Sequence, residues 1–394
     1  MAKRHLYEID FMRALIMFAV VCVHVTTVYF TMAAYNTPLF FAFGAAITSL
    51  HFTRESFMLI TGIVLFVTYY DRPFRLVDFW KKRFLLIGIP YLVWTVAYIV
   101  FKGLYYPLEH YWDPADMSKN FIRSMLTGNQ YYLYFLFVTI QLYILFPLIL
   151  VGLRKFKRYH LHIFIGSFVL QLLLMALCKF VIPGIPANGL PPVVEKIVEY
   201  REQFILTYQF WYVGGGIIAC HYDQIKQYIE RHAASVVLAL LASVGILWIH
   251  FFADIFVLGE SEPTAQMVVQ PIMIPYSLVI SIALLCVGVA WARRRSKPAW
   301  QPLTRFIKTA SNASFGILLI QPILIVYVER VLQIVTTSGA SKWLHYGLWP
   351  VSILFVYLAA MVLSHGLSRI PFVSYVVGRK SQLVKPVRQP TASM

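Results

Sequence analysis

Arg13 and His24 stand in one apolar run near the start of the chain, with no charged residue between them. At 100° per residue, the eleven-residue separation is three helical turns plus about 20°, so both side chains face one side of a helix, about 16 Å apart along its axis. Asp10 and Met17 share that stripe. An ionisable group in such a run costs roughly 2.5–3.5 kcal/mol on insertion scales and is a functional candidate for that reason. Arg13 sits near the start of the run and His24 past its middle. A fixed cation at one end and an imidazole deeper in suit a tunnel, the first holding an anionic substrate at the mouth and the second moving a proton inside. Two plainer roles stay open: Arg13 snorkelling to an interface and His24 making an interhelical hydrogen bond.

Other polar residues in apolar surroundings carry weaker signals. Arg54 and Glu55 are adjacent in a long apolar stretch and read either as a self-satisfied ion pair at a helix break or as part of a site. Glu329-Arg330 reads as a rim pair, while Lys179, His250 and His365 lie close enough to the ends of their runs to snorkel. Gln141, Gln171 and Gln321 suit interhelical hydrogen bonding. Cys22, Cys178, Cys220 and Cys286 all fall in apolar blocks without metal-ligand spacing. They read as small core residues, and no metal is expected.

The elements that position these groups follow from composition. Hydrophobic residues make up 59% of the 394-residue chain and charged residues only 13%. Soluble domains carry about 25% charged residues, so this chain cannot coat a water-facing surface. Its apolar residues run in long blocks and do not alternate, which excludes a transmembrane barrel. The expected fold is an all-α polytopic membrane protein. With about 20 apolar residues per crossing, the chain divides into about ten spans, near 11–31, 39–70, 84–104, 131–153, 160–182, 204–220, 233–253, 271–292, 309–330 and 345–366. The second is too long for one straight crossing and should begin tilted or broken. The first span is expected to be retained, because Arg13 and His24 interrupt it and no small-residue cleavage site follows.

A net charge of +17 suggests nucleic acid in a soluble protein, but here it has a topological explanation. Basic residues cluster in alternate connections: Lys3 and Arg4; Arg72, Arg75, Lys81, Lys82 and Arg83; Arg154, Lys155, Lys157 and Arg158; Lys226 and Arg231; Arg293 to Lys308; and Arg369 to Arg388. The opposite connections carry only Lys119, Arg123, Lys196, Arg201 and Lys342. By the positive-inside rule both termini are expected in the cytoplasm. Residues 1–370 then form the transmembrane domain and 371–394 a basic cytoplasmic tail. The partner is the lipid bilayer, and no nucleic acid is expected.

Taken together, several stretches resemble acyltransferase family 3, bacterial membrane proteins that acylate cell-surface glycans. Arg13 to His24 matches the family's Arg-x10-His signature. Ser56-Phe57-Met58-Leu59-Ile60-Thr61-Gly62 resembles its Phe-Phe-x-x-Ser-Gly stretch. Phe79-Trp80-Lys81-Lys82-Arg83 followed by Ile89-Pro90-Tyr91 is similar to its basic loop and third span. Tyr134-Phe135 with Gln141, Tyr143 and Pro147 resembles its fourth span, and Ser314 to Pro322 its late Ser-x-Gly-Ile-Tyr-Leu-x-His-Pro stretch. The late histidine is Gln321 here, and Tyr131-Tyr132-Leu133-Tyr134 stands where many members have His-Leu-Trp. These departures and Val376 to Lys380 are most similar to the branch containing intercellular-adhesin protein C, linked to poly-N-acetylglucosamine in biofilms.

The resemblance implies an O-acyltransferase of the bacterial cytoplasmic membrane. It would move an acetyl or succinyl group from cytoplasmic acyl-CoA to a hydroxyl of an extracytoplasmic polysaccharide, beside a membrane glycan synthase as a possible partner. Arg13, Lys81, Lys82 and Arg83 would hold the donor's phosphates, and His24 would act as general base with Arg13 beside it. Arg54, Glu55, Tyr134, Gln141 and Gln321 would support the substrate or the structure. Two other readings compete, a polysaccharide exporter and a non-catalytic subunit of a synthase. No internal repeat of the kind common in transporters is visible.

Overall fold

The computed structural model describes residues 5–106, 111–185, 191–339 and 341–380. Lys3, Arg4 and the tail from residue 381 on, with Lys385 and Arg388, lie outside the described residues. Among the described residues the chain is helical throughout, with no strand. In chain order the helices are α1 (Tyr7–Met32), α2 (Pro38–Leu50), α3 (Phe52–Tyr69), α4 (Leu76–Tyr105), α5 (Pro114–Thr127), α6 (Tyr134–Lys155), α7 (His160–Ala176) and α8 (Pro192–Glu199). There follow α9 (Gln209–Cys220), α10 (Tyr222–Arg231), α11 (Ala233–Phe256), α12 (Glu262–Ala265), α13 (Met273–Arg294), α14 (Gln301–Thr337) and α15 (Lys342–Leu367).

Nine helical segments among the described residues are long and apolar enough to cross a bilayer, and a shorter apolar helix covers Ile205–Cys220. Together they fall where the ten expected spans fall, and the chain is an all-α polytopic membrane protein. The short segment opens with a 3-10 turn at Ile205–Tyr208 and spans about 26 Å. It packs by small residues: at Gly62 of α3 a Cβ would come within 2.7 Å of the Tyr212 carbonyl oxygen, and at Gly215 of α9 within 2.3 Å of the Leu59 carbonyl oxygen. Such close backbone approach is how helices gain packing energy where lipid supplies no hydrophobic drive.

The long second span is broken at His51, between α2 and α3. Thr37 caps α2, its hydroxyl accepting the Phe40 N–H at 3.3 Å, and Pro38 sits where no N–H is needed. Beside the break, the Ser49 carbonyl accepts the Tyr276 hydroxyl at 2.7 Å, so the interruption leaves that group satisfied in lipid.

At the centre of the bundle, α1 packs on α2, α3, α13, α14 and α15. One face belongs to a core with α3, α6, α9 and α13 (Ile9, Met12, Ile16), and the other to a core with α4, α14 and α15 (Ala14, Met17, Val21, Val25). Three side chains of α15 fix its register. Tyr357 donates to the Ala14 carbonyl at 3.1 Å, Trp349 to the Thr26 hydroxyl at 3.0 Å, and Ser352 shares a 3.0 Å hydrogen bond with Tyr29. Contact of α1 with five other helices explains why Arg13 and His24 face protein.

Three expectations need correction. Lys81, Lys82 and Arg83 lie not in a loop but in the opening turns of α4, which starts at Leu76. Lys179 does not snorkel; it is 2% exposed, 2.5 Å from Asp254, 3.2 Å from Glu260 and 3.0 Å from the Gln270 amide oxygen. Two carboxylates brought by the end of α11 and its following loop hold the ammonium inside. The chain after Leu367 does not leave the bundle at once. Val373–Val377 form a 3-10 turn whose Val376 carbonyl accepts the Trp94 indole N–H at 3.0 Å, and Arg379 donates to the Asn312 carbonyl at 2.7 Å.

Candidate active site

A cavity of about 340 Å³ lies at the Met32 end of α1. His24, His51, Arg54, Tyr131, Tyr132, Tyr134 and Glu202 supply its polar and aromatic lining. They come from α1, the α2–α3 break, the first turn of α3, the lead-in to α6 and the 3-10 turn Arg201–Gln203. A larger hollow of about 710 Å³ lies among α7, α9, α10, α11 and α13, where His160, His221 and His232 line it but no carboxylate, lysine or arginine does. The smaller one combines histidines with an arginine and a carboxylate.

His24 is stacked on Tyr132, with ring centroids 3.5 Å apart and planes 17° from parallel. The stack fixes the imidazole plane, while its nitrogens make no hydrogen bond to other described residues. An oriented imidazole with free nitrogens can take a substrate's proton.

Arg54 does not pair with its neighbour Glu55. Its Nη1 meets Glu202 Oε2 at 2.9 Å, and its guanidinium carbon stands 5.6 Å from the centre of the Tyr134 ring. Burial pushes the Glu202 carboxyl up, but the Arg54 guanidinium outweighs it and holds the group below the usual carboxylate range. Gln141 fastens the segment that carries Glu202, donating to the Gln203 carbonyl at 2.8 Å and accepting the Ile205 N–H at 3.2 Å. The Tyr208 hydroxyl donates to the Glu202 carbonyl at 3.0 Å. Tyr131 holds a left-handed backbone, φ 47°, with its ring 4.8 Å from that of Tyr98 and 4.5 Å from Lys102 Nζ. A bulky residue in that region is strained, and such strain concentrates at sites where neighbours fix the side chain.

Of the residues marked from sequence, the cavity gathers His24, Arg54 and Tyr134. Gln141 supports it from behind. Glu55 lies outside the lining, 5% exposed, with Oε2 unpartnered among the described residues. Gln321 is fully buried one turn beyond the cavity residue Leu318, and neither amide atom has a partner among the described residues. His51 and Glu202 carried no signal strong enough to be singled out. His51 was hidden in a long apolar stretch beside the more conspicuous Arg54, and Glu202 in an ordinary-looking connection.

Arg13 does not line this cavity. Toward the Tyr7 end of α1 it lies within electrostatic reach of Asp10, Tyr143 and Arg83. Arg83 turns inward over aromatic rings, 5.4 Å from Tyr143 and 5.6 Å from Phe79, and its Nε is buried without a partner among the described residues. Lys81 and Lys82 are exposed. Along α1, Arg13 and Arg83 thus form one polar centre and His24 and His51 another, apart from the buried Glu8, which meets Lys226 at 2.8 Å. No group of side chains suited to a metal ion occurs among the described residues.

A family model described as an acyltransferase domain matches residues 6–369. The chain belongs to this acyltransferase family. No curated protein and no solved structure matches it. A membrane acyltransferase must bind an activated acyl donor, deprotonate an acceptor and exclude water from the acyl group. The histidine cavity brings an imidazole and an aromatic wall together, and Arg13 and Arg83 make a separate cationic centre.

Proposed function

We propose that this acyltransferase moves an acetyl or succinyl group from cytoplasmic acyl-CoA to a hydroxyl of an extracytoplasmic surface polysaccharide, across the bacterial cytoplasmic membrane. One observation carries the reading: an oriented imidazole, His24, with no hydrogen bond to the other described residues, lines a polar cavity at the end of α1 opposite the Arg13–Arg83 centre. The positive-inside pattern assigns the arginine end to the cytoplasm. Arg13 and Arg83, with Lys81 and Lys82 on the rim, bind the phosphates of the donor. The thioester reaches toward His24, and the acceptor comes from the other face into the cavity of Tyr131, Tyr132 and Tyr134. His24 takes the hydroxyl proton as the oxygen attacks the thioester carbonyl, the C–S bond breaks, and the thiolate takes the proton back from the imidazolium. The aromatic lining favours a sugar ring as acceptor, and the similarity to the intercellular-adhesin protein C branch suggests a polymer of amino sugar.

His24 variants test the reading in membranes of the producing cell, which contain the natural acceptor. Label from acetyl-CoA and from succinyl-CoA is followed into polysaccharide. His24→Ala should lower the rate by about 10²–10⁴, and His24→Gln, which hydrogen-bonds but takes no proton, should be equally inactive. Normal labelling by the Gln variant would end the base assignment. Secreted polymer reduced in mass but unchanged in acyl content per sugar would favour an exporter.

A further inference from the structure

Acyl transfer to a hydroxyl places a full negative charge on the former carbonyl oxygen, and a base alone does nothing for that charge. Donors aimed at the oxyanion are commonly the largest single catalytic contribution, about 10²–10³ in rate each. His24 is occupied with the proton in the proposed reaction, and Arg54 is already tied to Glu202 at 2.9 Å. A further polar side chain of the same cavity has a buried ring nitrogen with no partner among the described residues.

That side chain is His51. It lines the cavity with His24, and its Nδ1 is buried with no partner among the described residues. The residue as a whole is only partly buried, so it is not sealed into the core. Nδ1 has no partner among the described residues, and the neutral tautomer with its proton on Nε2 leaves that N–H for a ligand in the cavity. The location suits such a role. His51 sits at the break between α2 and α3, a point fixed by the Tyr276–Ser49 hydrogen bond and by the close packing of α3 on α9. A donor on a rigid element loses little freedom when the charge appears.

From this arrangement we infer that His51 is the oxyanion donor of the reaction, its Nε2–H hydrogen-bonding the carbonyl oxygen of the acyl thioester. This rests on the acyl-transfer reading above. As the acceptor oxygen bonds to the carbonyl carbon, the carbonyl electron pair moves onto oxygen and His51 holds it by a hydrogen bond without giving up its proton. The pair then re-forms C=O, the C–S bond breaks, and the thiolate is protonated by the His24 imidazolium. Gln321 cannot fill this role, because it is fully buried and outside the cavity lining.

The two histidines should answer the same substitution differently. A base is not replaced by glutamine, whereas a donor is replaced in part, because the side-chain amide still offers N–H. In the membrane labelling assay His51→Ala should transfer about 10²–10³ times more slowly than wild type. His51→Gln should recover at least tenfold of that loss, and His24→Gln should recover none. Heat stabilisation of the purified protein by free coenzyme A, which has no acyl carbonyl for His51 to hold, should be the same in both His51 variants and wild type, which establishes that each is folded and binds the nucleotide of the donor. His51→Ala at the wild-type rate overturns the inference and leaves the acyl-transfer reading standing. Equal inactivity of the Ala and Gln variants with donor binding intact also overturns it, since shape and not donation would then be what the site needs. Wild-type membranes that transfer neither acyl group into polysaccharide overturn the acyl-transfer reading itself.

Discussion

The packing of α9 on α3 makes a quantitative test possible, because three successive glycines differ sharply in what a methyl group would meet. At Gly215 an added Cβ would lie 2.3 Å from the Leu59 carbonyl oxygen and 3.1 Å from the Ile63 nitrogen, both backbone atoms of α3. To reach 3.4 Å, the near edge of ordinary contact, the helices must separate by about 1 Å. Overpacking of this kind costs about 3 kcal/mol at its upper end. Alanine regains about 1 kcal/mol of helix propensity over glycine, so Gly215→Ala should lose roughly 2 kcal/mol. The displaced helix carries Arg54 and follows His51, and misplacing reacting groups by about 1 Å is worth about 10²-fold in rate. Gly214→Ala is the internal control, since its Cβ would meet ring atoms at ordinary contact distance, Phe164 at 3.4 Å and Phe210 at 3.7 Å, and no backbone; it should keep full activity and be as heat-stable as wild type or slightly more so. Heating followed by fluorescence-detected size exclusion, with the labelling assay in parallel, reads both quantities. Equal behaviour of the two variants would refute the claim that α3–α9 contact sets the site.

Three further outcomes follow from single residues. Tyr131→Asn should relieve about 1 kcal/mol of left-handed strain and so hold or raise the melting temperature, yet slow transfer at least tenfold because the cavity loses a ring; a stable, fully active variant would show that the strain serves nothing. Lys179→Met should destabilise by about 3–5 kcal/mol, because Asp254 and Glu260 are left buried without their cation; adding Asp254→Asn and Glu260→Gln should restore most of it, and failure to do so would remove charge as the cause. Burial raises the Glu262 carboxyl to about 7 from an ordinary 4.5, so its contribution to stability is full below about pH 4.5 and is lost as pH rises through 7. Glu262→Gln should therefore match wild type at pH 4.5 and melt higher at pH 8, and a constant difference across that range would count against this assignment.

Much of the fold was legible because a bilayer leaves the backbone few choices. A chain that cannot satisfy its amides with water must close them within helices, so the apolar blocks marked the segments directly. What hydropathy did not show was where helices run on past the lipid. Helix α14 covers Gln301–Thr337, well beyond the expected 309–330, and α4 begins about two turns before its apolar run. Polar residues at those ends have good helix propensity but no hydropathy signal. Lys179 departs from expectation for a related reason: a lysine near a span end ordinarily reaches water, and only the end of α11 and the loop after it, remote in sequence, supply the carboxylates that keep it inside.

The candidate site was legible only where one helix determined it. Arg13 and His24 were found because an ionisable group in an apolar run stands out locally, whatever surrounds it. Arg54 was found in the same way, but its partner was not. Successive helix residues point about 100° apart, so Arg54 and Glu55 cannot readily face each other, and i,i+1 neighbours do not pair on a helix. The carboxylate that Arg54 meets is Glu202, 148 positions away, in a connection whose composition resembles any exposed loop. His51 was missed by the same mechanism. Its imidazole looks unexceptional until the break at Leu50–Phe52 turns it toward a cavity that His24 enters from another helix. The residues most open to inference from sequence are those whose burial is costly on their own, and those that acquire meaning from a distant partner become visible only in the fold.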